Sequence, residues 1–185
     1  MKEEIDWKAL AVELGALDGK GESGSDHYAR QAIEMLLGED NLRKAVDYYI
    51  SGEPGSELAR SVLWQVRPWS AMKYCYNICK SDEDIETKRF AIELLRVVAD
   101  ERALEWINEF LEDKDAGIQM WGAGVLDQLM CSRLVEAEEV EHLLLKMEAH
   151  ANVGVREQAK RIREVMKREE ILDKAIKAIN GKGET

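Results

Sequence analysis

A helical phrase recurs about every thirty residues in this chain: Ala29-Arg30-Gln31-Ala32-Ile33, Ala59-Arg60-Ser61-Val62-Leu63 and Lys88-Arg89-Phe90-Ala91-Ile92. Alignment puts Ala32, Val62 and Ala91 in register at spacings of 30 and 29, with Leu36, Val66 and Leu95 one turn later. A period in this range belongs to stacked repeats, whose single units cannot bury their own apolar faces and need neighbours to cover them. At 185 residues the chain can bury roughly 70% of its unfolded surface without staples. Only two prolines interrupt it, Pro54 and Pro68, and no alternating strand pattern occurs. The expectation is an all-α fold.

The apolar spacing predicts a first helix from about Ile5 to Leu14, closed by Gly15. The run Asp18-Gly19-Lys20-Gly21-Glu22-Ser23-Gly24-Ser25 reads as a flexible linker. Ser25 or Asp26 then caps a helix whose stripe Ala29, Ala32, Ile33, Leu36 and Leu37 is expected to face the core. Antiparallel partners follow at about 42–50, 69–79, 103–111 and 137–148, with turns too short for anything but side-by-side packing. A last long helix, about Val155 to Ile179, has a basic outer face. The expected organisation is one domain over 1–185. It comprises an N-terminal helix in 1–18, the linker at 19–25, helical repeats over 26–150 and a basic capping helix over 151–185.

The phrase Val97-Val98-Ala99-Asp100-Glu101-Arg102-Ala103-Leu104, followed by Ile107, Leu111 and Asp113, resembles the HEAT repeat, particularly its short bacterial form. The resemblance covers about residues 26–166. It implies an α-solenoid of four to five antiparallel helix pairs, with concave helices matching 27–37, 57–66, 86–98, 116–131 and 153–168. It also implies that Arg30, Arg60 and Arg89, at one place in three units, hydrogen-bond to neighbouring units; a ladder gripping an anionic ligand is the alternative. The chain departs from the pattern at its fourth unit, where Gly117, Gly122 and Gly124 weaken a helix by about 1 kcal/mol each relative to alanine. Close backbone packing or a bend would account for them.

Motifs with chemistry are scarce. Gly19-x-Gly21-x-x-Gly24 has the letters of a dinucleotide fingerprint, but a helix precedes it where a strand is needed. Cys75 and Cys79 stand four apart with no further ligands to complete a metal site, and they read, with Cys131, as buried thiols in a reducing compartment. His142 and His150 are eight apart, not four, and read as part of an exposed acidic helix. No serine or cysteine sits beside a credible base, so no catalytic residue, metal or cofactor is expected.

Charge narrows the function. The net charge is −11, with −14 in residues 1–150 and +3 in 151–185. An acidic body repels phosphate backbones and steers basic partners inwards, although a high acidic count also serves solubility. No run of eighteen apolar residues occurs, and the start Met1-Lys2-Glu3-Glu4 is not that of a signal peptide. The expectation is a cytoplasmic, non-enzymatic module that binds a basic protein and neither nucleic acid nor membrane. Its sharpest form is an immunity-type inhibitor that occludes a basic toxin, such as a nuclease. Trp64, off the stripe Ala59, Val62, Leu63 and Val66, would point outwards and fill a pocket of the partner. Glu34, Glu93 and Asp127 in register with it, and the turn acids Asp82, Glu83, Asp84, Glu112 and Asp113, would pair with the partner's cations. A general adaptor is the alternative. An enzyme similar to HEAT-like DNA glycosylases or bilin lyases is a further one, for which Trp64, Trp121 and Asp127 are the residues in question.

Overall fold

Several helices in this chain begin where an acidic side chain satisfies amides that the first turn leaves unbonded. Asp6 accepts from the Ala9 amide, Asp84 from Glu86 and Thr87, Asp100 from Arg102, and Asp115 from Gly117 and Ile118. Glu136 and Glu139 form a reciprocal capping box. The structure, a computed structural model, describes residues 4–180, and in the last helix the backbone alone at 169–170, 173–175 and 177–180. The expected terminal segments Met1–Glu3 and 181–185, and the side chain of Ile179, lie outside the described residues.

Ten α-helices make up the described chain: α1 (Trp7–Glu13), α2 (Asp26–Leu37), α3 (Glu39–Ser51), α4 (Ser56–Val66), α5 (Trp69–Lys80), α6 (Ile85–Val98), α7 (Leu104–Leu111), α8 (Ala116–Cys131), α9 (Ala137–Glu148) and α10 (Val153–Asn180). A single 3-10 turn, Glu101–Ala103, leads into α7. The segment expected to be a flexible linker is partly ordered as a hairpin. Strands β1 (Leu17–Asp18) and β2 (Gly21–Glu22) pair antiparallel, and Asp18 Oδ1 holds the turn by accepting from the Lys20 amide at 2.7 Å and the Gly21 amide at 3.0 Å. A side chain that mimics a backbone turn explains why a Gly/Ser-rich run can still be structured.

The chain divides into two compact units, residues 1–83 and 84–185. In the first, α3 packs against α2, α4 and α5, and α2 also touches α4. Its buried residues include Leu42, Val46, Leu63, Val66, Met72 and Cys75. Burial there pushes the Cys75 thiol well above its ordinary value. In the second unit, α8 packs against α6, α7 and α10, and α9 against α10 and α7. Ile92, Leu95, Ile107, Leu126, Leu129, Leu144 and Met147 are fully enclosed. Among the described residues, no helix is long and apolar enough to cross a membrane.

The three glycines of α8 each face a side chain that needs the space of a missing Cβ. A Cβ at Gly122 would lie 2.4 Å from Phe110 Cβ of α7. One at Gly117 would lie 2.8 Å from Arg89 Nε, and one at Gly124 2.9 Å from Arg96 Cδ, both on α6. Close packing is therefore their reason: α8 brings bare backbone against a neighbour on two sides.

Candidate partner-binding surface

The residues expected to form a site divide between the two units, and several are engaged inside the fold. Glu34 leaves α2 to reach the start of α5, where Pro68 has no side-chain cap to offer. Its Oε1 accepts from the Ser70 amide at 2.8 Å and the Ser70 hydroxyl at 2.5 Å, and its Oε2 accepts from the Trp69 amide at 3.1 Å. A carboxylate at that place satisfies unbonded amides and faces the positive end of the helix dipole. Glu34 is thus a cap supplied from another helix, at the edge of a shallow groove lined with Met35, Glu39, Trp69 and Lys73. Its register with Trp64, which suggested a contact with a partner, has this internal cause.

In the second unit, Asp84 starts α6 and is bonded to the Thr87 hydroxyl at 2.6 Å, a contact that holds its carboxyl below the usual range. Asp113 Oδ1 accepts from the Asp115 amide at 2.8 Å and so shapes the turn into α8. Glu112 is ion-paired with Lys146 of α9, which also reaches Asn108. Glu93 and Asp127 are half-buried on α6 and α8, with Asp127 Oδ1 4.0 Å from Cys131 Sγ. Asp82 and Glu83, in the turn after α5, are exposed.

Arg89 bonds beyond its own helix. Its Nε and one terminal nitrogen form a fork on Asp115, at 3.0 and 2.7 Å, tying α6 to the cap of α8. The paired guanidinium holds the Asp115 carboxyl below its ordinary value, chiefly through that hydrogen bond. Arg60 forms one of its ion pairs with Glu57, at 3.7 Å. Trp121 is half-buried, with the Arg96 guanidinium 5.3 Å over its ring. Arg96 Nε is buried without a hydrogen-bond partner, as its stem lies along Gly124. Cys131, expected to be buried, is exposed, because it ends α8 just before Arg133 turns the chain with φ 53°. His150 is drawn in rather than exposed: Nε2 is 2.9 Å from the Leu111 carbonyl, and Nδ1 accepts from the Asn152 amide at 3.1 Å.

What sequence reasoning missed is an apolar face in the first unit. The α2 stripe expected to be core is at the surface: α2 has no buried residue, and Ile33, Met35, Leu36 and Leu37 are exposed. On α4, Trp64 is 44% exposed, Leu58 71% and Val62 43%. Val62 was expected to face inwards with Leu63, which is fully buried. On α1, Trp7 and Val12 are exposed as well. Position alone could have flagged Leu58. It is one turn before Val62 and borders the expected stripe Ala59, Val62, Leu63 and Val66, so only its distance from Leu63 and Val66 around the helix marks it as outward. The α2 stripe offered no such signal, since an apolar stripe reads the same whether a neighbour covers it or not.

Several large apolar side chains exposed within one unit are a surface that can bind another molecule. Among the described residues no three histidine, cysteine, aspartate or glutamate side chains are grouped to hold a metal ion. No protein-family model matches the chain, and no curated protein or solved structure matches it either.

Proposed function

We propose that this chain is a non-catalytic protein-binding module whose helix pairs stack in HEAT-like fashion, and that its partner is a basic protein. The observation that carries the reading is the exposure of large apolar side chains on α2 and α4, namely Ile33, Leu36, Leu58, Val62 and Trp64, on a chain of net charge −11. A half-exposed tryptophan on a helix that also exposes aliphatic side chains is the kind of residue on which interface hot spots are built. The acidic body supplies long-range attraction and rejects acidic competitors. In its most specific form the module is a cytoplasmic immunity-type inhibitor that blocks the active site of a basic toxin by occupying its rim.

Affinity capture from cells of the source tests this, with the wild-type chain, Trp64→Ala and Leu58→Asp as baits. The expected result is a basic protein retained by the wild type at low salt, released as salt rises, and lost or weakened at least about tenfold with both variants. Capture of the same proteins by all three baits, or of acidic proteins or nucleic acid, would remove this face from the function.

A further inference from the structure

The protein-binding reading leaves open what kind of element the partner presents, and the first unit narrows it. α2 and α4 both pack on α3 and touch one another. Each is a ridge on that support, and each carries exposed apolar residues. On α2 these are Ile33, Leu36 and Leu37, at helical spacings of three and four; on α4 they are Leu58 and Val62, four apart. Twelve and eleven residues give ridges roughly 16–18 Å long. A partner helix of about three turns fits that length, and its own side chains at i, i+3, i+4 and i+7 match the spacing. An extended strand has no free sheet edge to join here.

The surrounding charge selects among helices. Residues 26–66 hold seven acidic and four basic side chains. Asp26 at the start of α2, Asp40 after its end and Glu57 on α4 are exposed. A second copy of the chain, also at −11, is repelled, as are a phosphate backbone and an anionic bilayer. We infer that the α2–α4 face is a docking groove for a basic amphipathic helix of the partner, with aliphatic anchors between the two ridges and lysines or arginines over the acidic rim. This assignment rests on the protein-binding reading.

The full-length chain is titrated with three labelled 14-residue helical peptides, followed by fluorescence anisotropy. The first has leucines at i, i+3, i+4 and i+7 and lysines elsewhere. The second replaces the lysines with glutamates, and the third keeps the first one's composition but scatters its leucines around the helix. The first is expected to bind at least about tenfold more tightly than either of the others. Ile33→Glu and Val62→Glu separate docking from mere attraction, since each adds negative charge. Docking between the ridges weakens about tenfold or more in both variants, whereas non-specific attraction of a cationic peptide strengthens. Both positions are more than 40% exposed, and an unchanged thermal unfolding curve shows that the fold is retained. Equal binding of the first and third peptides, or tighter binding by the glutamate variants, overturns the groove. If the first peptide fails while an intact basic protein is still captured through Trp64 and Leu58, the helical element is wrong and the protein-binding reading stands. If neither binds, both fall.

Discussion

The glycines of α8 show how one missing methyl group can serve three different neighbours. Alanine at Gly122 would force its Cβ to 2.4 Å from Phe110 Cβ, and Phe110 is buried on a packed helix with nowhere to move. Gly122→Ala is expected to destabilise the protein by about 2–3 kcal/mol, read from urea unfolding. Gly117→Ala meets Arg89 Nε at 2.8 Å and Asp115 Oδ1 at 2.9 Å, so it disturbs an ion pair and a cap and should cost about 1 kcal/mol. Gly124→Ala meets Arg96 Cδ at 2.9 Å, on a side chain whose guanidinium lies over Trp121, and the cost of shifting it offsets the gain of up to about 1 kcal/mol in helix propensity. The net change there should be near zero. An equal loss at all three positions would mean that the glycines are needed for a bend and not for clearance. The sequence revealed that three glycines in one helix needed a packing reason. It could not reveal the neighbours, which lie 12 residues away for Phe110 and 28 for both arginines.

Helix boundaries were the most legible part of the chain, because what sets them is local. The segment 137–148 was expected and α9 spans Ala137–Glu148; 116–131 was expected and α8 spans Ala116–Cys131. In each case an acid just before the helix, with its targets two or three residues on, marks the start. The start of α5 differs, since its cap comes from Glu34, 35 and 36 residues earlier. Such a pairing leaves no local trace, and the same residue was read as part of a binding surface. Glu34→Ala should cost about 1–2 kcal/mol in urea unfolding. Glu34→Gln, which keeps an acceptor but loses the charge facing the dipole, should cost about half as much. No loss in either variant would show that α5 starts without help. The Arg89–Asp115 fork makes a separate prediction in pH. The folded state lowers the Asp115 carboxyl's affinity for protons, so the contribution is complete above the ordinary carboxylate value of about 4 and is lost as pH falls through the depressed folded value. Asp115→Asn should therefore lower the melting temperature at pH 7, and the gap to the wild type should narrow below about pH 4. A gap that widened in acid would contradict the assignment.

At the scale of the whole molecule, cover is unevenly distributed, and this is what the repeating pattern could not convey. The aligned phrases carry similar apolar stripes, yet the stripe of α6 is enclosed, with Ala91, Ile92 and Leu95 fully buried, while that of α2 is open. Among the described residues, α1 and α2 bury nothing, whereas α8 and α9 together bury eleven side chains or backbone positions. The period announces that neighbours are needed, but only the number of neighbours at each point decides whether a stripe becomes core or surface. Local stability should follow cover. Few buried apolar contacts leave backbone hydrogen bonds open to water, so amides of α1 and α2 are drawn from the low end of the stability range. Native-state hydrogen exchange should find them opening with free energies at least about 2 kcal/mol below those of α8 and α9. If the uncovered face exists to receive a basic helix, adding the lysine–leucine peptide described above should slow exchange in α2 and α4 and leave α8 and α9 unchanged. Protection of α2 equal to that of α8 in the chain alone would mean that its stripe is already covered in solution, and the surface assigned to the partner would not exist.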